Sequence, residues 1–312
     1  MPDILVIGSM NADLVVRAAR FPQPGETISG EDLRIIPGGK GANQAVAAAR
    51  QGASVAMVGR VGNDGFGPAL IANLRQNNVD ASHVQMDPRS ATGTAIIVLD
   101  ANGQNSIVLS PGGNGRVSPA DVEDVSFSDH KLLLLQLEIP VETVLSATRR
   151  AKESGLRVLL NPAPARPLLE ELITLPDFIL PNETELSLLA SQPVADLTSA
   201  EKAAKRLLER GAQNVIVTLG ANGALIVSSK QVTHVDTYQV AVVDTTAAGD
   251  AFIGGFASAL LRNKSLEEAV RYGCACGALA TTKFGAQPSL PTREEVEYFV
   301  GAQRKNNDRN SP

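Results

Sequence analysis

Short runs that are apolar at every position alternate along this chain with Ala-rich or amphipathic segments. The runs are Ile4–Gly8, Ser54–Val58, Leu132–Leu137, Val158–Leu160, Phe178–Leu180 and Val215–Leu219. Unbroken apolarity, rather than alternation, marks strands covered on both faces. The segments between them have legible helix starts. Ser118 precedes Pro119, and Thr198 with Glu201, Ser265 with Glu268 and Thr292 with Glu295 are each spaced as a capping box. The β-α-β-α order predicts an α/β fold, a doubly wound and mostly parallel sheet with right-handed crossovers.

Two regions break this pattern. Asp13 to Ile36 holds Asp13-Leu14-Val15-Val16-Arg17, a Pro22/Pro24/Gly25 turn and the run Thr27 to Ile36. Gly93 to Ser110 reads as a hairpin, Ala95–Leu99 and Ser106–Ser110 joined through Asn102-Gly103. Neither has room for a crossover helix. They predict a small separate β-sheet, a lid from segments of about 13–36 and 93–110 within one domain spanning 1–312. Leu14-Val15-Val16 and Ile96-Ile97-Val98-Leu99 are apolar without strict alternation, so both faces of the lid carry hydrophobic groups. Such a sheet is poorly stable uncovered, which predicts a homodimer joined lid to lid, with Val16 and Ile97 among its outward positions. No linker, repeat or low-complexity block appears, and Gln303 to Pro312 is polar and expected to be disordered.

Composition narrows the function. The 312 residues are 44% hydrophobic and 20% charged, with 28 basic and 33 acidic side chains giving a net charge of −5. No basic block points to nucleic acid or an anionic membrane. Two cysteines, Cys274 and Cys276, argue against a disulfide framework, and their spacing in a helical stretch turns them apart. The histidines, His83, His130 and His234, are scattered through expected loops and take no role. No apolar run approaches a membrane span, and Met1-Pro2-Asp3 leads directly into Ile4 without a basic flank. A cytoplasmic enzyme or binding protein is expected.

The chemistry concentrates in Val243-Asp244-Thr245-Thr246-Ala247-Ala248-Gly249-Asp250. An expected strand, Gln239–Val243, runs into a loop of small residues and then a small-and-apolar helix from Ala248 to Leu261. Converging amides and the helix dipole make an anion site. A carboxylate inside an anion site, Asp250, is unfavourable unless it takes a proton from a hydroxyl while the amides stabilise a transferred phosphoryl group. Ligands of doubly wound sheets bind beyond the strand carboxyl ends. Those ends carry Glu138, Asn161, Asn182 to Glu185, Thr218 to Gly220 and Asp244, although Asn182 also suits a helix cap.

A second glycine cluster, Pro37-Gly38-Gly39-Lys40-Gly41-Ala42-Asn43-Gln44-Ala45, opens an Ala-rich helix from Ala42 to Gln51. It lacks Walker A spacing, and Gly8-Ser9-Met10-Asn11 lacks the dinucleotide fingerprint. It reads either as a tight turn with an exposed lysine or as a close backbone approach to a polar ligand, with Lys40 and Asn43 donating. Asn11 and Asp13, in an expected loop after the first strand, suit an Asx turn or the binding of vicinal hydroxyls.

Taken together these residues resemble the ribokinase family of carbohydrate kinases over nearly the whole chain. Gly38-Gly39-Lys40-Gly41-Ala42-Asn43-Gln44-Ala45 is similar to the first family signature. Asp244 to Asp250 is similar to the second, D-T-x-G-A-G-D, with Ala247 in place of the first glycine. Gly62-Asn63-Asp64 with Gly67, Asn161 to Ala165, Asn182 to Glu185 and Gly285 to Ser289 follow in order.

The resemblance implies ATP-dependent phosphorylation of D-ribose at its 5-hydroxyl. It makes Asp250 the general base and the amides of Ala247, Ala248 and Gly249 the anion hole. It puts Asn11, Asp13, Gly39, Lys40, Asn43 and Glu138 on the sugar. Asn182, Thr218, Gly220 and Gly249 go to the nucleotide. Glu185 is implied to organise Mg²⁺ through water, and Asp244, Thr246, Ala280, Lys283, Gly285 and Ser289 to hold K⁺. Cys274 stands where the family often has Asn or His at the adenine, a departure from the family pattern that leaves nucleotide selectivity open. The alternatives are another kinase of the superfamily (for deoxyribose, adenosine or fructose) and a non-catalytic sugar-binding regulator, against which an intact Asp250 argues.

Overall fold

The computed structural model describes residues 3–101 and 104–310, so the expected Asn102-Gly103 turn lies outside the described residues, as do Met1, Pro2, Ser311 and Pro312. The strands are β1 (Ile4–Ile7), β2 (Asn11–Arg17), β3 (Arg34–Gly38), β4 (Val55–Gly62), β5 (Val79–Asp87), β6 (Gly93–Leu99), β7 (Asn105–Ser110), β8 (Leu132–Leu135), β9 (Arg157–Leu160), β10 (Phe178–Ile179), β11 (Asn214–Thr218), β12 (Ala224–Ser228) and β13 (Val232–Val235). The helices are α1 (Lys40–Arg50), α2 (Gly67–Gln76), α3 (Val141–Glu153), α4 (Glu171–Thr174), α5 (Glu183–Ala190), α6 (Leu197–Glu209), α7 (Ala248–Leu261), α8 (Leu266–Ala280), α9 (Ala286–Ser289) and α10 (Arg293–Asn310).

The main sheet has the order β13-β12-β11-β10-β9-β8-β1-β4-β5. Every pairing from β5 across to β11 is parallel, while β11-β12 and β12-β13 are antiparallel. At its centre β1 (ILVI) and β8 (LLLL) are buried at every position, as strands with helices on both faces must be. On one face α7 lies against α1 and α8. A side chain at Gly254 would strike Ala47, and one at Gly255 would strike the Cys276 sulfur, so glycine sets how closely these helices approach.

The second sheet is small, with the order β3-β2-β6-β7. It is mixed, because β2 and β6 run parallel while the outer pairs are antiparallel. Its inner face carries Asp13, Val15, Ile36, Ala95 and Ile97 toward the main body. Its outer face aligns Leu14, Ile35, Ile96 and Val108 in one cross-strand row. Ile97 is therefore an inward position and Ile96 the outward one, since successive strand residues face opposite sides. Arg17 and Arg34 of this sheet both lie over the Phe284 ring, at 5.0 and 5.4 Å from its centroid.

Several sequence expectations are corrected. Gln239–Val243 is not a strand; the stretch joins no sheet, Val243 N donates to Thr281 O at 2.7 Å, and Val242 and Val243 are each 63% exposed. Its apolar side chains line a cavity instead of joining the sheet. β2 begins at Asn11, two residues before the run that opens at Asp13, so both lie in the strand and not in the turn leading to it, and His83 and His234 lie in β5 and β13 rather than in loops. The start of α6 is capped by Asp196, whose carboxylate accepts from Ser199 N at 2.7 Å, two residues ahead of the Thr198–Glu201 pair. The boxes at Ser265 and Thr292 form as spaced. The chain from Gln303 to Asn310 continues α10 instead of losing structure. Among the described residues no helix is long and apolar enough to cross a membrane.

Candidate active site

Asp250 sits in the first turn of α7, buried with 6% of its surface exposed. Asn43 Nδ2 donates to its Oδ2 at 2.9 Å, and Gln44 Nε2 to its Oδ1 at 3.0 Å. Both donors come from the buried face of α1, which brings the two glycine-rich motifs together across 207 residues. Burial pushes the Asp250 carboxyl above its ordinary range, and the Lys40 charge with these two donors acts against that push. The first-turn amides of a helix have no intrahelical carbonyl. Here the Ala248 amide turns back to Thr245 O at 3.2 Å.

Ala247, the N-cap of α7, has φ 60° and ψ 11°. That left-handed backbone costs a non-glycine residue roughly 1 kcal/mol. The alanine at this signature position is thus not conformationally neutral, whatever its small size suggests.

Opposite Asp250 stand two further carboxylates. Glu138, beyond β8, accepts from Ser9 Oγ at 2.5 Å and from the Lys40 amide at 3.0 Å. Asp13 lies against Gly38, where an added Cβ would fall 2.1 Å from Asp13 Oδ2, so only glycine fits beneath it. Burial, with the charges of Glu138 and Asp250, raises the Asp13 carboxyl to about 7. Burial favours neutral Lys40, but the negative charges of Asp250, Glu138 and Glu185 outweigh it and keep the ammonium protonated. Asn11 Oδ1 accepts from Asn114 Nδ2 at 2.7 Å, and Asn114 is itself clamped on the Met10 backbone through both ends of its amide. Gly39 holds φ 88° against the backbone of Met10 and Asn11.

Three cavities meet here, and Thr245 lines all of them. A compartment of about 200 Å³ holds Lys40, Asn182, Glu185, Thr218, Ala247 to Asp250. A groove of about 510 Å³ runs on past Gly220, Tyr238, Phe252 and Cys274 to Thr281. A wider space of about 930 Å³ lies beneath the second sheet and reaches Asp13, Asp244 and Phe284. The smallest brings Lys40, Glu185 and Asp250 together, while Asp13 lines the widest.

Asn182 caps α5, with both ends of its amide engaged by Glu185, so the cap reading describes its hydrogen bonds while its side chain also borders two cavities. Burial raises the Glu185 carboxyl, opposed by the Asn182 amide and Lys40. Among the described residues no group of three or more His, Cys, Asp or Glu could hold a metal unaided. Glu185 beside a phosphate-sized compartment suits Mg²⁺, which keeps several waters and is normally shared between a carboxylate and substrate phosphates.

Asp244 joins two loops. Its Oδ1 accepts from the Thr246 amide and hydroxyl at 2.9 and 2.6 Å, and its Oδ2 from Gly285 N at 2.9 Å. Lys283 spends its ammonium on Glu295 at 2.6 Å. Ser289 donates to Ala286 O at 2.8 Å. The groups facing the Asp244 carboxylate are thus two backbone amides and one hydroxyl, which tie the loop before α7 to the one before α9.

The residues without an assigned role in the sequence are Ser9, Gln44, Asn114, Gln136 and Asn161. A signal existed for Gln44, since two adjacent amides interrupt an otherwise Ala-rich buried helix. For Asn114, in a short 3₁₀ turn, there was none.

The description "pfkB family carbohydrate kinase" matches residues 1–293. A ribokinase of Haemophilus influenzae is 43% identical over 299 residues, 95% of this chain and 98% of that protein. A deoxyribokinase of Salmonella typhi is 40% identical, over 96% and 98%. The structure of Arabidopsis thaliana ribokinase complexed with ribose and ATP superposes with a TM-score of 0.88 at 34% identity, covering 95% of this chain and 98% of that one.

Proposed function

The chain belongs to the pfkB family of carbohydrate kinases, and from that premise we propose that it transfers the γ-phosphoryl group of ATP to the 5-hydroxyl of D-ribose, giving D-ribose 5-phosphate and ADP. The observation that carries the chemistry is a buried carboxylate, Asp250, in the first turn of α7, gripped by two amides of α1. Asp250 takes the 5-hydroxyl proton as that oxygen attacks the γ-phosphorus and the bond to ADP breaks. The amides of Ala247, Ala248 and Gly249 face the charge on the transferring group, in a compartment where such dipoles act with little solvent screening.

Asp13 accepts secondary hydroxyls of the sugar, and Asn11, Gly39, Lys40, Asn43 and Glu138 complete its contacts. Asn182, Thr218 and Gly220 serve the nucleotide, whose base fills the largely apolar groove beside Phe252 and Cys274. Mg²⁺ would be held through water by Glu185 and would supply charge shielding for the ATP phosphates. K⁺ would be held by Asp244, Thr246, Ser289 and the carbonyls of Ala280, Lys283 and Gly285, and would stiffen the loop before the anion hole. The second sheet acts as a lid whose closure keeps water from competing as acceptor. The reading implies a cytoplasmic enzyme, where ATP is supplied.

The similarity to a deoxyribokinase favours one rival, phosphorylation of 2-deoxyribose. A coupled ADP-release assay over pentoses, hexoses and nucleosides separates them. Ribose is expected to give the highest kcat/KM. Replacing K⁺ by Na⁺ at constant ionic strength is expected to cut turnover severalfold, as loop ordering weakens. Equal use of 2-deoxyribose would defeat the ribose assignment, and equal rates in Na⁺ would remove the cation from the mechanism.

The same reading includes a homodimer through the lids. Ile35, Ile96 and Val108, aligned on the outer face, are 58, 49 and 64% exposed. A continuous apolar row of that kind suits burial against a second copy across a two-fold axis. Light scattering at micromolar concentration is expected to give twice the 32.7 kDa chain mass, falling to the monomer value in Ile96→Asp. A wild-type mass near that of one chain would exclude the dimer.

A further inference from the structure

Behind Asp250 lies a run of buried amides that phosphoryl transfer leaves without a task. Gln44 and Gln136 are 0 and 1% exposed. Gln44 Nε2 donates to Asp250 Oδ1 at 3.0 Å and to Asn161 Oδ1 at 3.2 Å, and Gln44 Oε1 accepts from Gln136 Nε2 at 2.6 Å. Asn161 Nδ2 donates to Leu180 O at 3.0 Å. Two acceptors in this run cannot be reversed, the Leu180 carbonyl and the ionised Asp250 carboxylate. The first turns Asn161 so that its oxygen faces Gln44. The second demands the nitrogen end of Gln44. The oxygen end of Gln44 then requires the nitrogen end of Gln136. Every amide therefore has one orientation. Gln136 Oε1 is left without a hydrogen-bond partner beside Gly8, where an added Cβ would sit 2.1 Å from it.

We propose that Gln44, locked from behind by Gln136, is a positioning residue that fixes the plane of the Asp250 carboxylate and favours its proton-accepting form. The proposal rests on Asp250 being the base. Asn43 serves the other oxygen, so Oδ1 depends on Gln44. The charged groups acting on Asp250 include Lys40 on α1 and Glu138 beyond β8. Asp13 on β2 and Glu185 on α5 also feel its charge. Lys40 favours the ionised form and the carboxylates oppose it. Removing a donor from Oδ1 shifts that balance toward the protonated form, which cannot accept the sugar proton.

The test is the pH dependence of kcat at saturating ribose, where the Asp13 titration carried by KM does not enter, for Gln44→Met and Gln136→Met, with Asp250→Asn measured alongside and ribose affinity followed by calorimetry. Gln44→Met keeps the volume and loses the donor. It is expected to move the acid limb upward by about one pH unit, the scale of one hydrogen bond to a charged group, so that kcat falls about tenfold on the acid side of the limb. The deficit should therefore shrink on the alkaline side of the limb, with ribose affinity unchanged. Gln136→Met should move the same limb less far. A folded Gln44→Met whose loss is equal at every pH would overturn the proposal. If that variant does not fold, an unmoved limb in Gln136→Met overturns it instead. An active Asp250→Asn would overturn the base assignment beneath it, whereas an inactive one with an unmoved limb in Gln44→Met sinks the positioning role alone.

Discussion

Asp250→Asn is expected to lower kcat by about 10³-fold, within the span of general-base contributions, while leaving ribose and ATP affinities close to wild type. The reasoning starts from the two donors. Asn43 Nδ2 and Gln44 Nε2 each point at an oxygen of Asp250, so an asparagine there sets its own NH₂ against one of them. That conflict costs stability. Against it, the substitution removes the burial of a charge, which already pushes Asp250 toward neutrality. The two effects oppose, and the melting temperature should change little. Turnover does not share this compensation, because an amide cannot accept the 5-hydroxyl proton in the transition state. Retention of a large part of wild-type kcat in a folded protein would refute the assignment.

Asp13→Asn is expected to raise the ribose KM roughly 10- to 100-fold, the scale of lost hydrogen bonds from hydroxyls to a charged acceptor, with the ATP KM little affected. The same substitution should stabilise the sugar-free protein. Burial holds the Asp13 carboxyl at about 7 against 3.8 for an ordinary aspartate. A folded-state value above the unfolded one favours folding only while the group is protonated. The stability it supports is full below pH 3.8, declines as pH rises through about 7 and stays lost above it. The advantage of asparagine should therefore grow from pH 4 to 7 and level off, at up to a few kcal/mol. Wild-type ribose KM should in turn rise as pH falls below 7. An unchanged KM in Asp13→Asn would remove it from the sugar site, and equal melting temperatures at pH 8 would contradict its cost to the empty fold.

Much of this architecture was legible because the strands at the centre of the sheet are apolar on both faces. Ile4–Ile7 and Leu132–Leu135 show no alternation and can hardly be anything else. The edge resisted the same reading. Val79–Asp87 is half exposed and carries Asp80, Ser82, His83 and Gln85, so its run looks polar. Gln239–Val243 failed in the opposite direction. Its apolar residues line the groove toward Phe252 and Cys274, and sequence pattern alone does not distinguish a cavity wall from a strand. The second glycine motif singled out Asp250, because a carboxylate inside an anion site is conspicuous, whereas the first left Lys40 open between an exposed turn residue and a ligand donor. They did not give the left-handed backbone of Ala247, since composition does not specify a dihedral angle. Nor did they give Asn114, whose importance lies wholly in holding Asn11 from a turn distant in the chain.

The order of elements along the chain has a consequence for the protein during its synthesis. Both sheets are complete once β13 has emerged, at Val235, and the carboxylates Asp13 and Glu138 lie upstream of that point. The loop and helix start from Asp244 to Asp250 come later. A nascent chain halted between the two has the strands of both sheets and lacks Asp250. Only when α7 leaves the ribosome and seats Gly254 on Ala47 does the buried face of α1 find its cover and Asn43 its carboxylate. Domains generally fold as units as they are made, and here the last quarter of the chain arms the site. Termination upstream of α7 thus leaves Asn43 and Gln44 of α1 without the carboxylate they grip in the complete chain.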